Sequence, residues 1–262
     1  MNIHFYKYQA AGNDFVLADN RDGKLSFSDG QVSKICHRRF GLGADGIILL
    51  EKTSSADFKM VYRNADGSEG FCGNGCRAIV HFAHKLGVIK DTTTFLAFDG
   101  MHSAQILHHG LIRFSLSDVN VIEAKGEDYY INTGTDHNIR FVKDLKAYPV
   151  FEEGKKIRFS DLYKPKGTNA DFVEINSDQS VSFRIYERGV EDETYSSGSG
   201  ATACALVVAK KFGYASPITL TAPGGTLVVD FETRQNGTFH NIHLTGPVEL
   251  VFETTAKLPL EL

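Results

Sequence analysis

The chain has 262 residues, 42% of them hydrophobic, and a formal charge of −4, which allows one large core or, given the repeat described below, two of ordinary domain size. Its longest basic cluster is His37-Arg38-Arg39, so no field exists to draw in nucleic acid, and no apolar run approaches a membrane span. The expected partner is a small molecule, and the start Met1-Asn2-Ile3-His4-Phe5-Tyr6-Lys7 carries no secretory pattern, so a cytoplasmic protein is expected.

In chain order, Ile3 to Tyr8 and Phe15 to Ala18 read as short strands around the polar turn Ala11-Gly12-Asn13-Asp14. Asp29 can cap a helix carrying Val32, Ile35 and Cys36, with Gly41 as its stop. After Gly75, Ile79, Phe82, Ala83 and Leu86 recur at helical spacing as far as Gly87, with His81, His84 and Lys85 on the opposite face. Strands follow at Phe95 to Phe98, Ala104 to Leu107, Leu111 to Leu116, Tyr129 to Ile131 and Ile139 to Val142. Pro149 and Glu152-Glu153-Gly154-Lys155-Lys156 read as a loop or short connection. Phe172 to Ile175 and Val181 to Tyr186 are further strands, and Ala203, Leu206, Val207 and Val208 carry a helix, apolar nearly all round, to Gly213. Leu227 to Phe231 and Phe239 to Leu244 flank Asn236-Gly237, a dipeptide suited to a type I′ hairpin turn.

Two stretches look like versions of one another, Phe71-Cys72-Gly73-Asn74-Gly75-Cys76-Arg77-Ala78 and Ser196-Ser197-Gly198-Ser199-Gly200-Ala201-Thr202-Ala203. Gly12-Asn13-Asp14 and Ala44-Asp45-Gly46 precede the first, as Gly134-Thr135-Asp136 and Ala170-Asp171-Phe172 precede the second. Each half therefore sets a nucleophilic side chain at a helix N-terminus, where free N–H groups and the helix dipole favour an anion. A thiolate gains from that setting, and two such groups would supply the acid and the base of a two-base proton transfer. Cys36, Cys76 and Cys204 read as small packing residues. Cys72, Cys76, His81 and His84 contain no Cys-x-x-Cys pair and would sit on different helix faces, so no metal site is expected.

Gly12-Asn13-Asp14-Phe15, Gly41-Leu42-Gly43-Ala44-Asp45-Gly46, Asn64-Ala65-Asp66-Gly67-Ser68-Glu69, Cys72-Gly73-Asn74-Gly75-Cys76-Arg77, Asn169-Ala170-Asp171-Phe172 and Glu187-Arg188-Gly189 through Glu193-Thr194 resemble diaminopimelate epimerase, in order and along nearly the whole chain. The resemblance implies an α+β fold of two pseudo-symmetric domains, each a mixed β-barrel-like sheet wrapped around a central helix, with the active site in the interdomain cleft. The expected domains are 1–119 with a C-terminal strand in 249–262, and 120–248. It also implies a cofactor-independent enzyme that epimerises LL-2,6-diaminopimelate to the meso isomer. A homodimer is an admissible assembly.

By the same resemblance Cys72 is one acid/base thiol and Ser197 stands where the second is expected, so the chain is one thiol short and impaired turnover is expected. Gly73, Asn74, Gly198 and Ser199 would offer N–H groups to the α-carboxylate, and Asn13, Asn64 and Asn169 match substrate-contacting asparagines. Arg188 matches the arginine that pairs with the distal carboxylate, and His137 and Glu187 match polar groups that hold or move the protons beside the thiols. The Thr135-Asp136 pair before His137 departs from the family pattern, which often has proline there. The competing readings are a non-catalytic amino-acid-binding homologue and a related amino-acid racemase or isomerase.

Overall fold

A computed structural model describes residues 2–257; Met1 and residues 258–262, the last part of the expected C-terminal strand, lie outside the described residues. Ala11 and Gly12 both take positive φ (53° and 86°) and close a two-residue turn between β1 (Asn2–Ala10) and β2 (Asn13–Asp19), with Ala10 paired to Asn13. Asn13 and Asp14 are therefore the first residues of a strand rather than part of the turn. Next come α1 (Asp29–Cys36), β3 (Gly46–Glu51), β4 (Phe58–Asn64), α2 (Gly73–Lys85), β5 (Thr92–Ala97), β6 (Gly100–Ile106) and β7 (Ile112–Ser115). The chain continues through β8 (Ile122–Lys125), β9 (Asp128–Asn132), β10 (Asp136–Phe141), α3 (Val150–Arg158), β11 (Asn169–Ile175), β12 (Val181–Glu187) and β13 (Asp192–Thr194). It ends with α4 (Gly198–Phe212), β14 (Ile218–Ala222), β15 (Gly225–Thr233), β16 (Phe239–Gly246) and β17 (Glu249–Lys257).

These elements divide into two units, one running as far as Phe114 and taken up again from Gly246, the other Ser115–Thr245. In the first, the strands run β17-β1-β2-β3-β4-β5-β6-β7, with β2–β3 and β4–β5 parallel and the other neighbours antiparallel. The second runs β8-β9-β10-β11-β12-β14-β15-β16, and its parallel pairs, β10–β11 and β12–β14, fall at the same two places. Each sheet holds a helix: α2 packs on β1, β2, β3, β4 and β6, and α4 on β9, β10, β11, β12, β14 and β15. The fold is α+β, with one plan used twice.

Register sharpens the duplication. Phe15 pairs with Gly46 and Gly46 with Asn64, whereas His137 pairs with Asn169, and the Ala170–Tyr186 pairing sets Asn169 level with Glu187. With Asn13 matched to Thr135, Asp45 corresponds to Thr168, three residues before Asp171. The Ala44-Asp45 and Ala170-Asp171 match is a coincidence of sequence, and Asn64 has Glu187, not Asn169, as its counterpart.

Several local expectations change. Ser28, not Asp29, caps α1: its side chain accepts from the Gln31 N–H while Gln31 accepts from the Ser28 N–H. Residues 150–158, expected as a loop, form α3, which buries Val150, Gly154 and Ile157 against Leu145, Phe172 and Tyr186. A Cβ on Gly154 would lie 2.3 Å from Tyr186 Cβ, so the glycine that resembles a breaker is a contact surface. At Asn236-Gly237 only the glycine takes a positive φ, and its N–H closes a turn onto Arg234 O at 2.8 Å, so the hairpin is not type I′. His81, expected to face outward, is half-buried with its ring 3.2 Å from Tyr8 Oη.

Candidate active site

Cys72 is the N-cap of α2, extended at φ −141° and ψ 109°, so the helix starts at Gly73 rather than after Gly75. Gly75 lets that helix end settle on the sheet, since a Cβ there would lie 3.0 Å from Met60 Cε and 3.1 Å from Ile48 Cδ1. Below the thiol runs a polar chain whose direction is set from one end. Arg77, fully buried, can only donate, and its Nη2 donates to Asn74 Oδ1 at 2.9 Å. The Asn74 amide must then offer Nδ2, which donates to Asn13 Oδ1 at 3.2 Å. Asn13 Nδ2 donates in turn to Asp45 Oδ2 at 2.6 Å, which leaves Asn13 Oδ1 as the oxygen 3.5 Å from Cys72 Sγ.

Burial pushes the Arg77 guanidinium down to about 10, and its buried Nη1 has no hydrogen-bond partner among the described residues. Arg77 Nε reaches the Pro247 carbonyl at 3.2 Å. Around Asp45, burial pushes Asp14 upward, but hydrogen bonds from Arg38 and Lys7 outweigh it and hold the carboxyl at about 2. Arg38 bridges Asp14 (2.8 Å) and Asp45 (2.6 Å). Asn64 is held apart from this chain, accepting from Tyr62 Oη at 2.8 Å and donating to Ser68 Oγ at 3.0 Å.

Ser197 stands at the matching place as the N-cap of α4, and its Oγ accepts the Gly200 N–H at 3.2 Å. Its surroundings differ from those of Cys72. Ser197 Oγ lies 3.2 Å from Ser199 Oγ, which lies 3.0 Å from His137 Nε2 and 3.1 Å from Thr135 Oγ1. Thr135 Oγ1 is itself 2.9 Å from His137 Nε2. On the far side of the ring, Nδ1 is 2.7 Å from Asp171 Oδ2, and neither side chain is exposed at all. With its N–H directed at that carboxylate, the imidazole presents Nε2 as an acceptor to the hydroxyls. Burial raises the Asp171 carboxyl, partly offset by His137, and Asp171 Oδ1 has no hydrogen-bond partner among the described residues. Gly200 permits this close approach, because a Cβ on it would lie 2.5 Å from Asp171 Oδ1.

Asn169 ties the rest of this half together. Its Nδ2 donates to the Asp136 carbonyl at 2.9 Å and to Thr135 Oγ1 at 3.3 Å, and its Oδ1 accepts the Arg188 N–H at 2.8 Å. Arg188 Nη1 reaches Gly167 O at 3.1 Å and Asp136 Oδ2 at 3.3 Å. Glu187, at the end of β12, accepts from Thr194 Oγ1 at 2.8 Å. The structure thus gathers Asn13, Cys72 and Asn74 in one half, and His137, Asn169, Arg188, Ser197 and Ser199 in the other. Sequence reading missed Arg77, Thr135 and Asp171 as members of these networks. Asp171 was accessible to it, since Asn169 and Asp171 alternate onto one face of β11.

Two sheets of one plan, each packed around a helix, make a fold that solved structures share. A phenazine biosynthesis protein of the PhzF family from Bacillus anthracis superposes with a TM-score of 0.79 at 14% identity, covering 98% of this chain and 100% of that one. A hydroxyproline epimerase from Agrobacterium vitis, with bound trans-4-hydroxy-L-proline, gives a TM-score of 0.72 at 14% identity, over 99% and 94%. The sequence narrows the class. The chain belongs to the diaminopimelate epimerase family, whose profile matches residues 5–121 and 129–251. It is 47% identical over 260 residues to the diaminopimelate epimerase of Flavobacterium psychrophilum, covering 97% of this chain and 100% of that protein. It is 38% identical over 273 residues to that of Aquifex aeolicus, covering 96% of each. Among the described residues no helix is long and apolar enough to cross a membrane.

Proposed function

We propose that this chain epimerises LL-2,6-diaminopimelate to the meso isomer in the cytoplasm without a cofactor, and that Cys72 and Ser197 are its two proton-transfer groups. The observation that supports this reading best is positional: both residues are N-caps of the enclosed helix at equivalent places in the two units. In the proposed reaction one group removes the α-proton while the other delivers a proton to the opposite face. The backbone N–H groups of Gly73, Asn74, Gly198 and Ser199, at the starts of α2 and α4, take the α-carboxylate and the charge that develops on it. Arg188 takes the distal carboxylate, with Asp136 already sharing its guanidinium, and Asn64, Asn169 and Glu187 hold the remaining polar groups.

A thiol, with an ordinary pKa of about 8.5, exchanges protons near neutrality, whereas an alcohol needs a base beside it. Turnover by this chain is therefore slower than a pair of thiols would give. The test follows the α-proton by NMR in D₂O, with LL- and meso-diaminopimelate supplied separately. Ser197→Cys should raise interconversion by roughly 10² to 10⁴, the range of one general acid/base. Binding without exchange by both the unaltered chain and Ser197→Cys would mark the protein as a binding homologue and overturn the proposal.

A further inference from the structure

The thiol position filled by Ser197 would be inert if the serine stood alone, and it does not. The Gly200 N–H donates to Ser197 Oγ, and the Ser197 hydroxyl can in turn donate to Ser199 Oγ, 3.2 Å away. Ser199 can in turn donate to His137 Nε2 at 3.0 Å, and His137 Nδ1–H is anchored on Asp171 Oδ2 at 2.7 Å. His137 and Asp171 are sealed from solvent while Ser199 is half-buried, so a closed orienting pair ends in a hydroxyl at the rim. In the other half the amides of Asn13 and Asn74 lie beside the Cys72 helix start.

We infer that Asp171, His137 and Ser199 form a proton relay that makes Ser197 competent as the second acid/base, with Asp171 as the residue that positions His137. This rests on the epimerase reading above. In the forward direction the Cα–H bond breaks and its proton moves to Ser197 Oγ as the Ser197 proton passes to Ser199 and the Ser199 proton to His137 Nε2. The electron pair stays on the α-carbon and its carboxylate, and His137 becomes an imidazolium facing Asp171. No free alkoxide forms, because each oxygen gains a proton as it loses one. The reverse flow delivers a proton from Ser197. Thr135, 2.9 Å from Nε2, competes with Ser199 for the one lone pair, so relay and resting arrangements differ by a hydroxyl rotation.

The test is a mutant cycle read by α-proton exchange in D₂O. With Ser197 present, Asp171→Asn and Ser199→Ala should each lower exchange about a hundredfold, and Ser199→Thr should restore most of it. In a Ser197→Cys background, where a thiol ionises on its own, the same changes should cost less than about tenfold. Equal losses in both backgrounds would mean that the residues only shape the site and would overturn the relay. A second readout does not need turnover. In ¹⁵N spectra of the unaltered chain, His137 should be the Nδ1–H tautomer, and both Ser199→Ala and Ser197→Ala should shift its Nε2 resonance. If Nε2 does not respond to Ser197→Ala, the relay fails even where epimerisation succeeds. Absence of exchange from the Ser197→Cys protein, with the expected Nε2 shifts intact, would sink the epimerase reading and keep the hydrogen-bonded chain.

Discussion

Four cysteines of one chemical type have four environments, and position alone separates them. Burial pushes the Cys36 thiol up to about 12 and those of Cys76 and Cys204 well above the ordinary range, while Cys72 is half-exposed at a helix start. A thiol whose pKa is raised stays protonated, and so unreactive, at every pH below the raised value. Iodoacetamide at pH 8 should accordingly label Cys72 alone, with peptide mass mapping as the measurement; substantial early labelling of Cys36, Cys76 or Cys204 would contradict the burial described. Cys72 was legible from its Gly-x-Gly context, and Ser197 from its copy. Arg77 was not, because nothing in a sequence says that an arginine one turn into a helix will be wholly enclosed. The polarity it imposes on Asn74 and Asn13 depends on which donor faces which oxygen, a matter of tertiary placement.

At the scale of the element, α2 and α4 were readable because apolar residues recur at helical spacing over more than three turns, a signal that local noise does not erase. The nine-residue α3 was obscured by Pro149 ahead of it and Gly154 within it. Gly154 is in the helix because Tyr186 needs the space. Gly154→Ala should therefore lower the melting temperature, although alanine is the better helix former by about 1 kcal/mol, because overpacking costs about 1–3 kcal/mol. Thermal unfolding followed by circular dichroism would show it, and an unchanged or raised midpoint would refute the contact. β3 escaped sequence reading for a different reason. Gly46–Glu51 is apolar and buried but for its last residue, Glu51, so it shows none of the alternation that marks a half-exposed strand.

On the scale of the whole molecule, the duplication was legible as an order of motifs, but the sequence match of Ala44-Asp45 to Ala170-Asp171 placed it out of register. Short motifs drift by a few residues where loops differ, whereas hydrogen-bonded pairing cannot drift without turning every side chain over. The corrected register sets an amide, Asn64, opposite in role to a carboxylate, Glu187, so a shared backbone plan carries unlike chemistry in its two copies. The copies also differ in how they are closed. β17 pairs along β1, and Pro247 just before it accepts from Arg77. A chain stopped after Gly246 should thus lose hydrogen-exchange protection in β1 and α2 while β9 to β12 keep theirs; uniform loss through both units would count against the division described.

That asymmetry gives the two units different histories on the ribosome. All strands of the second unit, from β8 to β16, are consecutive, so once β16 has emerged nothing further has to be synthesised for its sheet to close. The first unit is translated earlier yet lacks β17, which follows β16 in the chain, leaving the β1 edge open for the whole time its sister is being made. An open strand edge invites pairing with other chains. The half that carries Cys72 is therefore the half most exposed to misassembly in the nascent chain, and its sheet is completed after that of its sister.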